Sequence, residues 1–534
     1  MANRVAGIVG RAIAAIFVVA ACGLNGARSL AQTNPASTPV QQLPTLGDAS
    51  ELGSSAERRL GDRVARELYR DPDYIDDPVL DEYVQNIWQP LLQAARRRGD
   101  LTPELEQRFA WKILMGRDRS VNAFALPGGY FGLHLGLLAI VGTRDELASV
   151  LGHELSHVTQ RHISRLLSKQ TQQLPWMIGG VLLGALAAGK SPDAANALIV
   201  GGQAVAAQNQ LNFSRDMERE ADRVGLGIMT QAGFDAHGFT GMFDKLQLGA
   251  RFNDQGAYPY LRSHPLTSER IADMQARQGV NTPEHAQQTA QDAMISARAR
   301  VLTNPGVDTL RAMVSQADGA VLTTEPAARY VGVLYGAALA AIRLRDFATT
   351  RQILARLQAL VRSDAPSRRL VRLLEAELAL AAGDATRVLT LLGEPAATSD
   401  GVAQTDTEQR RPELFLLAQA AIQTGQAAHA TQLGQRLQLW LLTHQHDAQA
   451  WQLLAGADAA QNQTLRAIRA QAEALAAQLD YAGALDRLKA AQERLRENRA
   501  ASGTPPAGDY IEASIIDTRR RQIELLLKEQ PLDG

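Results

Sequence analysis

Apolar residues recur at three- and four-residue intervals along most of the chain, with one short piece of different texture before residue 143. From Ala56 to Arg98 the helical spacing is interrupted at Asp71-Pro72-Asp73 and Asp77-Pro78, which predicts two or three short helices. Phe109 to Met115 then reads as a strand, Gly116 to Ser120 as a turn and Val121 to Leu126 as a second strand. Pro127-Gly128-Gly129 turns the chain again into Tyr130 to His134. Helical spacing returns from Thr143 to Ser168, where Leu147, Val150, Leu151, Leu155 and Val158 form an apolar stripe. Thr143 with Glu146 three residues on reads as a capping box, so this stretch predicts one long helix behind a small sheet.

The second half is helical throughout. Small or turn-forming residues at Arg345-Asp346-Phe347, Gly383-Asp384-Ala385, Gly425-Gln426-Ala427 and Asp480 to Leu485 divide it into hairpins, and Asn304-Pro305-Gly306 breaks an earlier helix. The intervals are irregular but near the period of tetratricopeptide units, whose stacked helices present a concave face to a partner; an ordinary helical bundle is the alternative. Thr398 to Arg411 and Ala500 to Gly508 read as loops.

Composition narrows the function classes. With 55 Lys and Arg against 56 Asp and Glu, no global field draws the chain to nucleic acid. Cys22 is the single cysteine, so a disulfide framework and a thiolate metal site are both excluded. Arg4 and Arg11 flank the apolar run Ala12 to Leu24, an export signal. Processing after Ser29-Leu30-Ala31 gives a signal peptide over residues 1–31, and Val19-Ala20-Ala21-Cys22 offers the competing route, a lipoprotein signal with a lipid on Cys22. Residues 32–53, rich in Pro, Ser, Thr and Gln, read as a flexible linker. Trp176 to Gly189 and Ala194 to Ala207 are apolar and shorter than a membrane span; they predict either a mobile cover for a cleft, in peripheral contact with lipid, or a buried helical pair.

The chemistry lies in His153-Glu154-Leu155-Ser156-His157. Residues four apart share a helix face, so the two imidazoles can meet one metal ion while Glu154 reaches a water on it. A catalytic zinc takes three protein ligands. His162, five residues beyond His157, points away on a continuous helix. Glu218 and Asp222 share a face of a later helix, so Glu218 can be the third ligand and Asp222 can orient a ligand histidine. Glu220 falls on the opposite face, solvated or paired with an Arg. Asn122, Ala123, Phe124 and Ala125 start the edge strand that would hold an extended substrate by its backbone.

These residues, with Asn122 to Gly129, Asp145-Glu146-Leu147, Gly152 to His157, Glu218 to Asp222 and Ser263 to Ile271, resemble the gluzincin family that includes the CAAX prenyl protease and the heat-shock protease HtpX, in particular its periplasmic members with a tetratricopeptide tail. The resemblance implies an α+β zincin-like metalloprotease domain over residues 54–278, mostly helical with a small sheet. A helical connector (279–325) and an all-α tetratricopeptide-like domain (326–534) would follow. It further implies one Zn2+ per chain on His153, His157 and Glu218, with Glu154 as general base. His264 is a latch or fourth ligand in such relatives, and a loop histidine otherwise. The implied setting is the periplasm, where misfolded or stalled outer-membrane β-barrel proteins are the substrates and the repeats engage the β-barrel assembly machinery; a chaperone or adaptor with a latent or structural zinc is the other class.

Overall fold

The computed structural model describes residues 52–170, 215–252, 257–278, 287–318, 327–393, 410–502 and 507–530. The leader, nearly all of the linker and the apolar insert lie outside the described residues. The chain divides into Met1–Asp48 and Ala49–Gly534, and the description concerns the second unit.

The prolines near the start delimit two long helices where short ones were expected, α1 (Ser54–Arg70) and α2 (Pro78–Arg98). The Asp77 carboxylate accepts from the Leu80 amide and Pro78 occupies the first turn, where its missing N–H is harmless; Gly99 ends α2 at φ 80°. Between them Tyr74–Ile75 forms a short strand, β1, that the Asp-Pro punctuation concealed. A short helix, α3 (Pro103–Arg108), leads into β2 (Lys112–Gly116), β3 (Ala123–Leu126) and β4 (Tyr130–His134). The sheet order is β1-β2-β4-β3, with β2 and β4 parallel and the other pairs antiparallel, so β3 is an edge strand. Trp88 of α2 meets Phe131 of β4 edge to face beneath the sheet.

After α4 (Leu135–Ile140), Thr143 caps α5 (Arg144–Thr159), its hydroxyl accepting from the Glu146 amide. The expected box is incomplete, because Glu146 turns to the Gly142 amide and to Lys245 Nζ at 2.6 Å. The predicted continuous helix also divides. Arg161 adopts φ 59°, and a second helix, α6, starts at His162 and runs to Gln170. Helix α7 (Arg215–Gln231) crosses α5 where Gly152 faces Gly225; a Cβ on Gly225 would come within 3.0 Å of the Gly152 carbonyl. That approach brings the carboxylates of α7 to the histidines of α5. Helix α8 (His237–Phe252), the turn α9 (Tyr260–Ser263) and α10 (Ser268–Arg277) close this part.

The remaining helices form an array: α11 (Ala290–Leu302), α12 (Val307–Gln316), α13 (Ala327–Arg343), α14 (Phe347–Leu360), α15 (Ala365–Ala381), α16 (Ala385–Gly393), α17 (Arg411–Thr424), α18 (Ala427–Thr443), α19 (Ala448–Ala460), α20 (Thr464–Ala477), α21 (Tyr481–Ser502) and α22 (Ala507–Glu529). The turns between α13 and α14, α15 and α16, α17 and α18, and α20 and α21 fall at the four hairpin signals in the sequence. The array joins the sheet-bearing part through buried and half-buried polar contacts. Arg298 binds both oxygens of Asp77 at 2.7 and 2.8 Å and Glu377 at 2.8 Å. Arg411 spans Asp76 (2.7 Å) and Asp447 (2.8 Å), Arg369 spans Glu82 and Glu413, and the Tyr83 hydroxyl donates to Asp292 at 2.7 Å. At its far end the array returns to α1, through Arg70 with Asp480 (3.2 Å) and Arg66 with Gln530 (3.1 Å). No helix among the described residues is long and apolar enough to cross a membrane.

Candidate metal centre

Four side chains from three segments converge in the interior: His153 and His157 from α5, Glu218 from α7 and His264 from the turn after α9, all buried. His153 Nε2 lies 3.0 Å from His157 Nε2 and 3.3 Å from His264 Nδ1. Glu218 Oε1 lies 3.0 Å from His264 Nδ1 and 3.5 Å from His157 Nε2. Metal–ligand bonds of about 2.0–2.1 Å in a tetrahedron place the ligand atoms about 3.3 Å apart. The donor atoms are therefore spaced as the edges of such a tetrahedron, with imidazole and carboxylate donors and no thiolate.

Charge supports the same fit. Glu154, Glu218 and Asp222 are sealed from solvent beside one guanidinium among the described residues, that of Arg270, so buried carboxyl groups outnumber the fixed positive charge and a dication would redress the balance. Burial alone would push the His153 imidazole down, but its hydrogen bonds to Asp222 and Glu218 outweigh it and hold the group up at about 9, so in the metal-free protein a proton on His153 fills part of that role. His157 is held well below its ordinary range by burial and by the charge on His153. The Glu218 carboxyl resists its burial because His264 and His153 keep it ionised, well below the usual carboxylate range.

Each sequence-derived candidate has a definite place. Asp222 Oδ1 sits 2.9 Å from His153 Nδ1, which turns the other ring nitrogen of His153 to the centre. Glu154, next along α5, is buried, and burial raises its carboxyl against the pull of His264 and His153. Neither of its oxygens has a well-formed hydrogen bond among the described residues; the Ala125 amide and His264 Nε2, at 3.4 Å, face it. Ala123, Phe124 and Ala125 lie on β3, and Asn122 immediately precedes it, its carbonyl accepting from the His134 amide. The edge strand thus runs beside the carboxylate of the motif.

Three residues at the site had been given another role or none. His162 does not point away: the break at Arg161 returns it beneath His157, Nδ1 to Nδ1 at 2.9 Å, and its Nε2 meets Glu220 at 3.0 Å. Glu220 does pair with an arginine, Arg165 at 3.0 Å, but it also reaches the centre through His162. Arg270 binds Asp222 at 2.6 and 2.7 Å, Glu218 Oε2 at 2.8 Å and the Pro265 carbonyl at 2.9 Å, and lies over the Phe243 ring. Its position six residues after His264, in a segment already marked as informative, was the one available signal.

Comparison with known proteins agrees with this geometry. Residues 79–278 match the model of peptidase family M48. The chain is 29% identical over 467 residues to the β-barrel assembly-enhancing protease of Escherichia coli, covering 86% of this chain and 89% of that protein. It is 36% identical over 251 residues to a Vibrio cholerae counterpart, a match that spans 47% of this chain and about half (49%) of that protein. The mitochondrial metalloendopeptidase OMA1 of Saccharomyces cerevisiae is 29% identical over 196 residues, 36% of this chain and 54% of that protein. The match covers the segment that supplies His153, His157, Glu218 and His264, which the chain gathers into one buried cluster, so residues 79–278 form a peptidase family M48 domain and the chain is a metalloendopeptidase.

Proposed function

We propose that the protein is a zinc-dependent endopeptidase of the bacterial periplasm that degrades misfolded or stalled outer-membrane β-barrel proteins. Its helical array, a tetratricopeptide-type surface, would engage the assembly machinery. One observation carries the reading: a His/His/Glu donor set at tetrahedral spacing stands beside an ionisable carboxylate and an edge strand. The name of the E. coli relative supports the setting.

His153, His157 and Glu218 would hold the ion, and Asp222 would fix the ring of His153. A zinc ion there supplies Lewis acidity, polarising the scissile carbonyl and lowering the pKa of a water to near neutrality. Glu154 would take a proton from the attacking water and deliver it to the leaving amine, and burial suits it by raising its proton affinity. The backbone of β3 pairs with the extended substrate and presents its carbonyl beside Glu154. His264 lies between the donor atoms and Glu154, its Nδ1 toward Glu218 and its Nε2 toward Glu154, which supports a latch whose turn would withdraw before a peptide enters.

Glu154→Gln should keep zinc and fold and lose at least about a hundredfold in cleavage of an unfolded β-barrel client, the scale of general-base loss. Equal cleavage by this variant, or wild-type protein purified without stoichiometric metal, would overturn the reading. His264→Ala should raise proteolysis several-fold, on the order of the release of one competing ligand, with zinc content unchanged; unchanged or lower activity removes the latch.

A further inference from the structure

His153 and His157 lie one turn apart on α5, yet the groups behind them differ. Asp222 backs His153. His157 is backed by a second imidazole, in a place that a continuous helix could not supply: five residues at about 100° each would put His162 about 140° around the axis from His157. The break is built. Arg161 takes φ 59°, and its guanidinium is tied to Glu57 at 2.6 Å and to the Leu52 carbonyl at 2.7 Å. His162 thereby opens a new helix with its ring edge-on to that of His157, centroids 4.9 Å apart, and it is buried.

The hydrogen-bond chain has one consistent direction. Glu220, an acceptor, requires the proton of His162 on Nε2. A neutral His162 then offers its Nδ1 lone pair to His157, whose proton must sit on Nδ1, and this leaves His157 Nε2 with its lone pair directed at the other donors.

From this geometry we infer that His162, held by Glu220 and Arg165, is the positioning residue that fixes the tautomer and ring orientation of His157 for metal binding. The inference rests on the proposed metal site and adds to it a residue that never touches the metal. It also gives the two histidines unequal support: His153 leans on an anion neutralised by Arg270, whereas His157 leans on a neutral ring whose far partner, Glu220, reaches solvent.

The test measures zinc affinity of the full chain by competition with a chromogenic chelator, together with thermal unfolding after metal removal. His162→Leu, which leaves the His157 Nδ1 proton without its acceptor, should weaken zinc binding on the order of 10- to 100-fold, the usual loss for such a supporting partner. His162→Gln, whose amide can accept and donate in the same directions, should recover most of it. Metal-free unfolding should match wild type, and only the zinc-induced rise should shrink. Wild-type affinity in His162→Leu overturns the inference, as does equal loss in both variants with a lowered metal-free transition, which would mark His162 as packing alone. Should His162→Leu fail to fold, Glu220→Ala at the half-exposed end of the chain carries the test: several-fold weaker binding supports the inference and unchanged binding overturns it. Wild-type protein that binds no zinc would instead remove the metal site itself.

Discussion

The metal centre and the seam between the sheet-bearing part and the helical array are both built from arginines set among acids, and both hold more acids than arginines. At the seam Asp76, Asp77, Asp81 and Glu82 crowd the start of α2, and Arg298, Arg369 and Arg411 reach them from the array. Most of those acids keep an edge in water, with side-chain exposures of 20–25% for Asp76, Asp81 and Glu82, so solvent and the helix N-terminus absorb the excess charge. At the metal centre Glu154, Glu218 and Asp222 are 1–2% exposed, so the excess falls to a proton or a metal ion and not to solvent. A wet acid excess serves docking, and a sealed one creates a demand for metal.

The sharpest way to break this contrast is to remove one arginine from each place. Arg270→Met strands Asp222 and Glu218 in the interior and should destabilise the metal-free protein by about 3–5 kcal/mol, the scale for breaking a buried pair. Saturating zinc should restore part of that in urea titrations. Arg298→Met strands Asp77 and should destabilise by about 3 kcal/mol, with no rescue by zinc. Equal responses to zinc would erase the distinction. Acid sharpens the second half. Burial would raise Asp77, but Arg298 overcomes this and holds its carboxyl below the usual range, so its contribution is present above a pH of about 4 and is lost as pH falls through the depressed value. The penalty of Arg298→Met should therefore shrink between neutral pH and pH 3, and a constant penalty would mean that the pair is not ionic. Smallest is Arg70→Ala, which breaks a half-exposed contact with Asp480 and should change stability by less than about 1 kcal/mol. A larger loss would show that the array depends on its far end for closure.

How much of this was legible beforehand depended on range. The motif histidines, Glu218, Asp222 and the edge strand could be read because each follows from spacing within one element. The hairpins at Gly383 and Gly425 were legible for a local reason: both adopt the left-handed backbone that glycine allows, at φ 84° and 67°. Arg161 defeats the same logic, since it is a non-glycine residue at positive φ, held there by Glu57 and Leu52 more than a hundred residues earlier. No local signal marks it, so spacing alone carries the helix through it and turns His162 away. Arg270 and the seam were hidden for the same reason. Arg298 meets its acid across 221 residues, and only the folded chain discloses the pairing.

The bond between Arg161 and Leu52 has a mechanical side. The Leu52 carbonyl accepts from Arg161 at 2.7 Å and from the Ser164 hydroxyl at 3.0 Å, so it is stitched to residues on both sides of His162. One carbonyl thus serves as a shared anchor for both sides of the bend, and a shift of Leu52 would be passed through His162 to the ring of His157.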